Sequence, residues 1–106
     1  MIYVKYGVKI KTLPWEMILV LLCIAKIGKD HNIVMTGKDD PSYPEGKVHA
    51  RGYAMDFHRN PSMDTVWWKV HQALLMIDEG YVVLMDDDQH KDHVHVGYAP
   101  DKANGA

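Results

Sequence analysis

The sequence predicts an α+β domain in which helices pack against a mostly antiparallel sheet. Two segments carry apolar residues at the spacing of an amphipathic helix, and several β-prone runs are bounded by turn residues. The last two of these runs are separated by a short polar segment, which predicts a hairpin. At 106 residues, the chain has the length of one domain, so we expect a single unit over residues 1–106 with a frayed tail at 100–106.

The first strand and the first helix are predicted near the N-terminus. Residues 2–10 alternate loosely between apolar and polar side chains, a pattern typical of an edge strand. Pro14 suits the first turn of a helix, with Thr12 or Leu13 at the cap. Gly28 is expected near the C-terminal end of this helix, which contains the single cysteine as a buried small side chain.

Two further strands are predicted on either side of a long loop. The β-prone run at 33–36 predicts the first of these strands, and the turn-forming residues of 37–47 predict the loop. Residues 53–57 predict the next strand, which the Asn-Pro-Ser sequence at 60–62 ends. Loops of this length within a compact domain are often functional.

The C-terminal half is predicted to hold a second helix and the hairpin. Ser62 or Asp64 is the expected cap, and the helix should end before Gly80. Its apolar positions follow the helical period at Val66, Trp67, Val70, Ala73, Leu74 and Ile77. Residues 81–85 and 92–98 are the two expected strands of the hairpin.

Composition and charge argue against several classes of function. The net charge is −2 and the basic residues are scattered, so the chain has no general attraction to nucleic acid or anionic lipid. The apolar run at 17–25 is shorter than the ~20 residues that cross a bilayer, and we expect it in a core helix. No secretory signal is recognisable. We therefore expect a monomer made in the cytoplasm that binds neither nucleic acid nor membrane.

Two segments hold imidazoles and carboxylates in a pattern suited to a catalytic zinc ion. They are HARGYAMD at 49–56 and DHVH at 92–95. A catalytic zinc takes three protein ligands and keeps its fourth position open, which two histidines and one aspartate would satisfy. Asp56 interrupts an apolar strand, where a carboxylate is costly unless it is paired or bound to metal. His93 and His95 are two residues apart, so their side chains share one face of a strand.

Each of these residues alone has a simpler explanation. A lone histidine in a polar loop, such as His49, is more often solvated than a ligand, and alternating histidines arise by chance. The conjunction of the two segments is what predicts metal. His49 and Asp56 are seven residues apart, so the chain must bend between them, and Gly52 is the expected place. Four other histidines lack such context and are expected on the surface or on a helix face: His31, His58, His71 and His90.

The same segments resemble the motifs of the zinc D-alanyl-D-alanine carboxypeptidases and their relatives among phage endolysins and hedgehog signalling domains. The first motif of that family, HxxGxAxD, is matched at 49–56. The second, a histidine preceded three residues earlier by an acid, is matched by Asp92 and His95. The HxH pair of some branches is matched by His93 and His95. The resemblance covers residues 33–98.

This resemblance implies a hedgehog/DD-peptidase-like fold and a zinc ion bound by His49, Asp56 and His95, with Asp92 as the general base. One departure concerns substrate contacts, because Lys47 stands where the family usually has serine. The family also has an upstream arginine for a substrate carboxylate, which has no clear counterpart in this chain. Three residues remain open as that contact: Lys38, Lys47 and Arg51.

The ligand set predicts a hydrolytic mechanism. Bound zinc lowers the pKa of a water molecule toward ~7 and polarises the scissile carbonyl, while a carboxylate accepts the proton and passes it to the leaving amine. Asp92 is the first choice for that carboxylate. If the strand is regular from residue 92, however, Asp92 faces away from the site and His93 points into it. Both residues therefore stay candidates for the catalytic role.

The function predicted from the sequence is a zinc peptidase that hydrolyses peptide bonds in the stem peptides of bacterial peptidoglycan. It would be a DD-carboxypeptidase or an endolysin-type endopeptidase, encoded by a phage or prophage and released to the cell wall through a pore made by another protein. The alternative is a non-catalytic zinc-containing binding module of the same fold. The presence of the Asp92 carboxylate favours the enzyme. The presence of both histidine- and aspartate-containing segments in one chain argues against a domain without metal.

Overall fold

A computed structural model describes residues 1–38, 53–85 and 92–99. These residues form a five-stranded sheet and two helices, which confirms the predicted α+β class with a mostly antiparallel sheet. The strands are β1 (Ile2–Val4), β2 (Ile33–Lys38), β3 (Ala54–His58), β4 (Tyr81–Leu84) and β5 (His93–Tyr98). The helices are α1 (Trp15–Ile27) and α2 (Asp64–Ile77), and a 3-10 turn at Pro61–Met63 precedes α2.

The strands lie in the order β1-β2-β3-β5-β4. β1 runs parallel to β2, with α1 between them in the chain, and all other neighbours are antiparallel. β4 and β5 pair as predicted for the hairpin, whose connecting residues 86–91 lie outside the described part of the chain. β5 therefore lies inside the sheet, between β3 and β4.

One face of the sheet carries the hydrophobic core. Alternate residues of β3 and β5 are fully buried and pack in one cluster with both helices: Met55, Phe57, Val94 and Val96. The helices contribute three buried residues each: Met17, Val20 and Ile24 from α1, and Trp67, Val70 and Leu74 from α2. Burial of side chains of this size stabilises a fold by roughly 1.5–3 kcal/mol each. Because side chains alternate along a strand, the residues between these core positions belong to the opposite face.

The N-terminal strand is shorter than the predicted span of 2–10. β1 ends at Val4, and the chain then reverses in a turn in which Val8 donates its backbone N–H to the Lys5 carbonyl over 3.1 Å. Gly7 sits in this turn at φ +91°, a conformation that glycine adopts without strain. The prediction of an edge strand is confirmed, since β1 is at one end of the sheet.

Both helices begin differently from the prediction. The residue before α1 is Pro14, whose carbonyl accepts from Met17 and Ile18 N–H, so neither predicted cap is used. The residue before α2 is Met63, again without a side-chain cap. Ser62 belongs to the preceding 3-10 turn and Asp64 is the first helical residue.

The predicted C-terminal ends and strand spans agree better. Gly28 follows α1 and donates its N–H to Ile24, as expected for a helix end. β2 extends the predicted strand by two residues, so Gly37 and Lys38 belong to it. The rest of the predicted loop, 39–47, and the tail, 100–106, lie outside the described residues.

The burial of helical side chains differs in part from the predicted core. Ile77 is 51% exposed and is the last residue of α2. In the 17–25 run, Ile18 and Leu22 are exposed and Cys23 is only partly buried, because just one face of α1 meets the core. Within the described ranges, neither helix has the length and apolar character needed to cross a membrane.

Candidate metal centre

Asp56 and His95 are direct partners across the β3–β5 ladder. Their side chains lie on the sheet face opposite the core, and Asp56 Oδ1 is 3.0 Å from His95 Nδ1. Asp56 is 1% exposed and His95 is 4% exposed. A carboxylate and an imidazole thus meet where both side chains are almost fully buried.

The sheet makes room for this pair on its β2 side. The β2–β3 register shifts between Met35 and Gly37, and Gly37 becomes the partner of Asp56. On the other side, Leu84 of β4 is the partner of His95. Because directly opposed residues share a face, Asp56 has a residue without a side chain on one flank and an imidazole on the other.

His93 lies next to this pair on the same face. Its Nε2 is 3.9 Å from Asp56 Oδ1, and its Nδ1 is 2.9 Å from Asp92 Oδ1. The predicted sharing of one face by His93 and His95 is confirmed by their partners on β3, His58 and Asp56. His93 therefore lies between two carboxylates, one buried and one at the surface.

Asp92 precedes the first residue of β5, and its side chain is 92% exposed. The regular strand begins at His93, so the alternation that would turn Asp92 away from the site does not extend to it. Its contact with the His93 ring brings the carboxylate toward the side of the sheet that carries His95. The geometry leaves both Asp92 and His93 as candidates for proton transfer.

Gly97 defines the position of the His95 ring. A Cβ atom at residue 97 would stand 3.2 Å from His95 Nε2 and 3.2 Å from the Tyr53 carbonyl oxygen. The ring thus has one nitrogen above Gly97 and the other, Nδ1, toward Asp56. A glycine two residues after the histidine on the same face leaves the room that this orientation needs.

The Asp56–His95 pair has the donor chemistry of a zinc site. Ligand atoms 2.0–2.1 Å from a tetrahedral zinc are about 3.3 Å from one another, close to the 3.0 Å between Asp56 Oδ1 and His95 Nδ1. The third predicted ligand, His49, lies outside the described residues. Within 1–38, 53–85 and 92–99, no set of three or more histidine, cysteine or acidic side chains has the geometry of a metal site.

Of the three candidate substrate contacts, the structure describes one. Lys47 and Arg51 are outside the described ranges, as is the predicted bend at Gly52. Lys38 is in β2, where it is the register partner of Met55, and it is 1% exposed. A side chain so thoroughly buried is poorly placed to meet a large substrate directly.

The other histidines have mixed outcomes. His31 is exposed and His71 is half-buried on α2, as predicted, and His90 lies outside the described residues. His58 is also exposed, but it is the direct β3 partner of His93 and so lies on the face of the candidate site. The strand register pairs His58 with His93, and the two-residue spacing of Asp56 and His58 is the sequence signal that places His58 on this face.

The sequence pattern indicates no role for Arg59. Its guanidinium makes two hydrogen bonds to the Asp64 carboxylate, at 3.2 and 2.8 Å, and donates to the Met85 carbonyl. The side chain is 14% exposed. It ties the end of β3 to the start of α2 and the end of β4, beside the His58–His93 row. The only sequence signal is an arginine five residues before an aspartate, which is not a recognisable pattern.

Comparison with protein-family models, curated proteins and solved structures finds no match to this chain.

Proposed function

We propose that this chain is a zinc-dependent peptidase of the hedgehog/DD-peptidase fold group that hydrolyses peptide bonds in bacterial peptidoglycan. The observation that carries the proposal is the buried contact between Asp56 and His95 on the polar face of the sheet. These are two of the three ligands that the motif resemblance implies. Burial of a carboxylate and an imidazole is unfavourable unless each is paired or ligates a metal.

His49, Asp56 and His95 are the residues that would hold the zinc ion. The described part of this set offers one carboxylate oxygen and one imidazole nitrogen on a common side, which are donors that zinc accepts. When bound, zinc supplies Lewis acidity, which makes a water molecule more acidic and polarises a carbonyl group. The sheet would hold these two proposed ligands rigidly, because Asp56 and His95 are in hydrogen-bonded strands and the carboxylate and the imidazole contact each other.

Asp92 and His93 would handle the proton. The exposed Asp92 carboxylate can accept a proton from water and return it to the leaving amine, which is the work of a general base and then a general acid. With its Nδ1–H donated to Asp92, the His93 ring holds that carboxylate in place and turns Nε2 toward Asp56. In its protonated form, the same ring would donate a hydrogen bond to an oxygen that gains negative charge during the reaction.

Peptidoglycan stem peptides are the proposed substrate because of the motif resemblance, and one structural feature agrees with a polymeric substrate. Asp92, the proposed proton acceptor, is 92% exposed at the start of β5. A catalytic group at the surface can be reached by a peptide that remains attached to a large polymer. A small free substrate would not require this exposure.

The test is hydrolysis of purified peptidoglycan by the intact chain, with zinc or with a chelator. Released amino groups are counted, and mass spectrometry of the fragments identifies the bond that is cut. We expect activity with zinc, loss with chelator, and loss in His95→Ala and Asp56→Ala. His31→Ala is the matched control, since it removes an exposed imidazole away from the site. Zinc binding without any hydrolysis would favour the binding module instead.

A further inference from the structure

A shallow groove on the α2 side of the sheet takes no part in the proposed chemistry. Its volume is about 310 Å³, and the described residues that line it are Asp64, Thr65, Trp68 and Met85. This volume is at the small end of the range of ~300–1,000 Å³ for small-molecule sites. The groove is therefore large enough for one ring-sized group, not for a folded partner.

The lining combines a flat aromatic surface with a hydroxyl and a carboxylate. Trp68 is 60% exposed, so its indole ring is available to a ligand, and Met85 adds apolar surface. Thr65 and Asp64 are three and four residues before Trp68 in α2, so the three side chains share one face of the helix. One wall thus offers a hydroxyl and a carboxylate beside an indole face.

The Asp64 carboxylate is held in one orientation by Arg59. Two hydrogen bonds, 3.2 and 2.8 Å long, join it to the guanidinium, and its side chain remains 34% exposed. An ionised carboxylate has about four acceptor positions, so these bonds leave acceptor capacity for a ligand. Since Arg59 also neutralises its charge, the carboxylate suits a ligand with neutral hydroxyl or amide donors rather than a cation.

The groove and the candidate site are connected through the backbone. Arg59 follows His58 in the chain, and His58 is the register partner of His93. The guanidinium of Arg59 contacts the groove residues Asp64 and Met85. The groove is thus at the same end of the sheet as the candidate site, but on the opposite face, which carries α2.

We propose that this groove binds a sugar ring of the peptidoglycan glycan strand. A pyranose ring has an apolar face of C–H groups, which stacks on an indole, and a rim of hydroxyl and amide donors, which a fixed carboxylate and a hydroxyl can bind. This inference rests on the proposed function for its choice of polymer, but binding of the sugar itself requires neither zinc nor hydrolysis. The groove would keep the chain on the glycan strand while the stem peptide reaches the site.

The test is titration of the full chain with a soluble β-1,4-linked N-acetylglucosamine tetramer, followed by calorimetry and by tryptophan fluorescence. We expect saturable binding that Trp68→Ala weakens by roughly tenfold, a loss comparable to that of one base-stacking aromatic side chain in single-stranded nucleic-acid binding. Trp15→Ala is the matched control, because Trp15 is 66% exposed on the other helix and does not line the groove. Its affinity should equal that of the parent chain.

Two further variants separate ring stacking from loss of folding. Trp68→Phe keeps a flat ring and should retain most of the affinity, whereas Trp68→Leu keeps apolar bulk without a ring and should behave like Trp68→Ala. No saturable binding by the parent chain, or equal losses in Trp15→Ala and Trp68→Ala, would overturn the proposal. Binding of a free stem peptide in the groove, without binding of the sugar there, would also overturn the proposal.

The same samples separate this proposal from the proposed function. Peptidoglycan hydrolysis is measured in parallel on the parent chain. Hydrolysis without sugar binding removes the glycan site and leaves the peptidase. Sugar binding without hydrolysis removes the peptidase and leaves the glycan site.

Discussion

Asp56 and His95 are 39 residues apart in the chain, yet they meet across two neighbouring strands with 3.0 Å between Oδ1 and Nδ1. The pair is buried on the face of the sheet that does not carry the hydrophobic core. A contact of this kind has two physical explanations: a hydrogen bond between the two groups, or two ligands that share a metal ion. They predict different behaviour when metal is added or removed.

We expect the chain to bind about one zinc ion and to be stabilised by it. Metal that binds only the folded state adds about 4 kcal/mol at a free concentration ~1,000 times the dissociation constant. Asp56→Ala and His95→Ala should lower zinc content and remove the rise in Tm on zinc addition. Elemental analysis after refolding with zinc and desalting measures the first quantity, and thermal unfolding measures the second. Trace metal in the parent chain would show that the contact is only a hydrogen bond.

Asp92→Ala should leave zinc content unchanged while hydrolysis falls by about 10²–10⁴-fold, the usual worth of general-base catalysis. The reason is that Asp92 is outside the proposed ligand set and is highly exposed. Rates of amino-group release at several substrate concentrations are the measurement, and the loss should be in kcat.

The parallel change His93→Ala tests the second candidate for proton transfer. A nearly silent Asp92→Ala together with a severe His93→Ala would assign the proton transfer to His93. Two silent changes would leave this end of β5 without a catalytic role.

Gly97→Ala should weaken zinc binding more than it weakens the fold. The added methyl group would stand 3.2 Å from His95 Nε2, and the backbone oxygen of Tyr53 at 3.2 Å limits its escape, so the imidazole must shift. Zinc affinity is measured by competition with a chelator of known affinity.

Gly28→Ala is the control for a crowded glycine away from the site. Its Cβ would be 2.6 Å from Ile33 Cδ1 and 3.0 Å from the Ile24 carbonyl oxygen, both in the core. This variant should lose stability and keep its zinc affinity. Equal zinc affinities for Gly97→Ala and the parent chain would mean that the His95 ring is not limited by Gly97.

Tyr81 should make the fold sensitive to alkaline pH. Burial, reinforced by the nearby Glu16 carboxylate, raises the pKa of Tyr81 from 10.0 to about 12. The folded state therefore keeps the phenol neutral while the unfolded state ionises, so the stabilisation is complete below pH 10 and is lost as the pH rises toward 12. Two pKa units correspond to an upper value of about 2.7 kcal/mol.

Tyr81→Phe provides the measurement. The phenol donates a 2.7 Å hydrogen bond to the Glu16 carbonyl, so its removal should destabilise the chain by about 1 kcal/mol near neutral pH. Between pH 10 and 12, denaturant unfolding should show this difference shrinking, because only the parent chain loses the contribution. Tyr6→Phe, at a fully exposed position, is the control. A constant difference across this pH range would contradict the assignment.

The sequence predicted the elements of the fold more accurately than their ends. Strands and helices are predicted from the local spacing of apolar residues along the chain. This explains why β4, β5 and both helices lie close to their predicted spans. Helix caps depend on the conformation of single residues, and Pro14 took the position assigned to Thr12 or Leu13. Ile77 follows the helical period of α2 but is the last residue of the helix, and it is exposed.

The candidate site could be predicted from the sequence only as far as spacing within one strand allows. The shared face of His93 and His95 follows from their spacing alone. The pairing of Asp56 with His95, and of His58 with His93, depends on strand register, which loop lengths and turn geometry determine. Arg59 contacts Asp64, five residues away, and Met85, 26 residues away. Neither separation is the spacing of a strand or of a helical turn, so no periodic pattern indicates these contacts.

The place of β5 in the sheet has a consequence for the order of assembly. β5 follows β3 and β4 in the chain and lies between them, so β3 gains its inner neighbour only when β5, paired with β4 in the hairpin, docks beside it. Closing contacts over this sequence distance is slow compared with forming a helix or a local turn. Before the hairpin docks, β3 presents an unpaired backbone edge, and such edges readily pair with other chains. Completion of the sheet and contact between Asp56 and His95 are therefore one event, and a partly folded chain would have an exposed β3 edge and no Asp56–His95 contact.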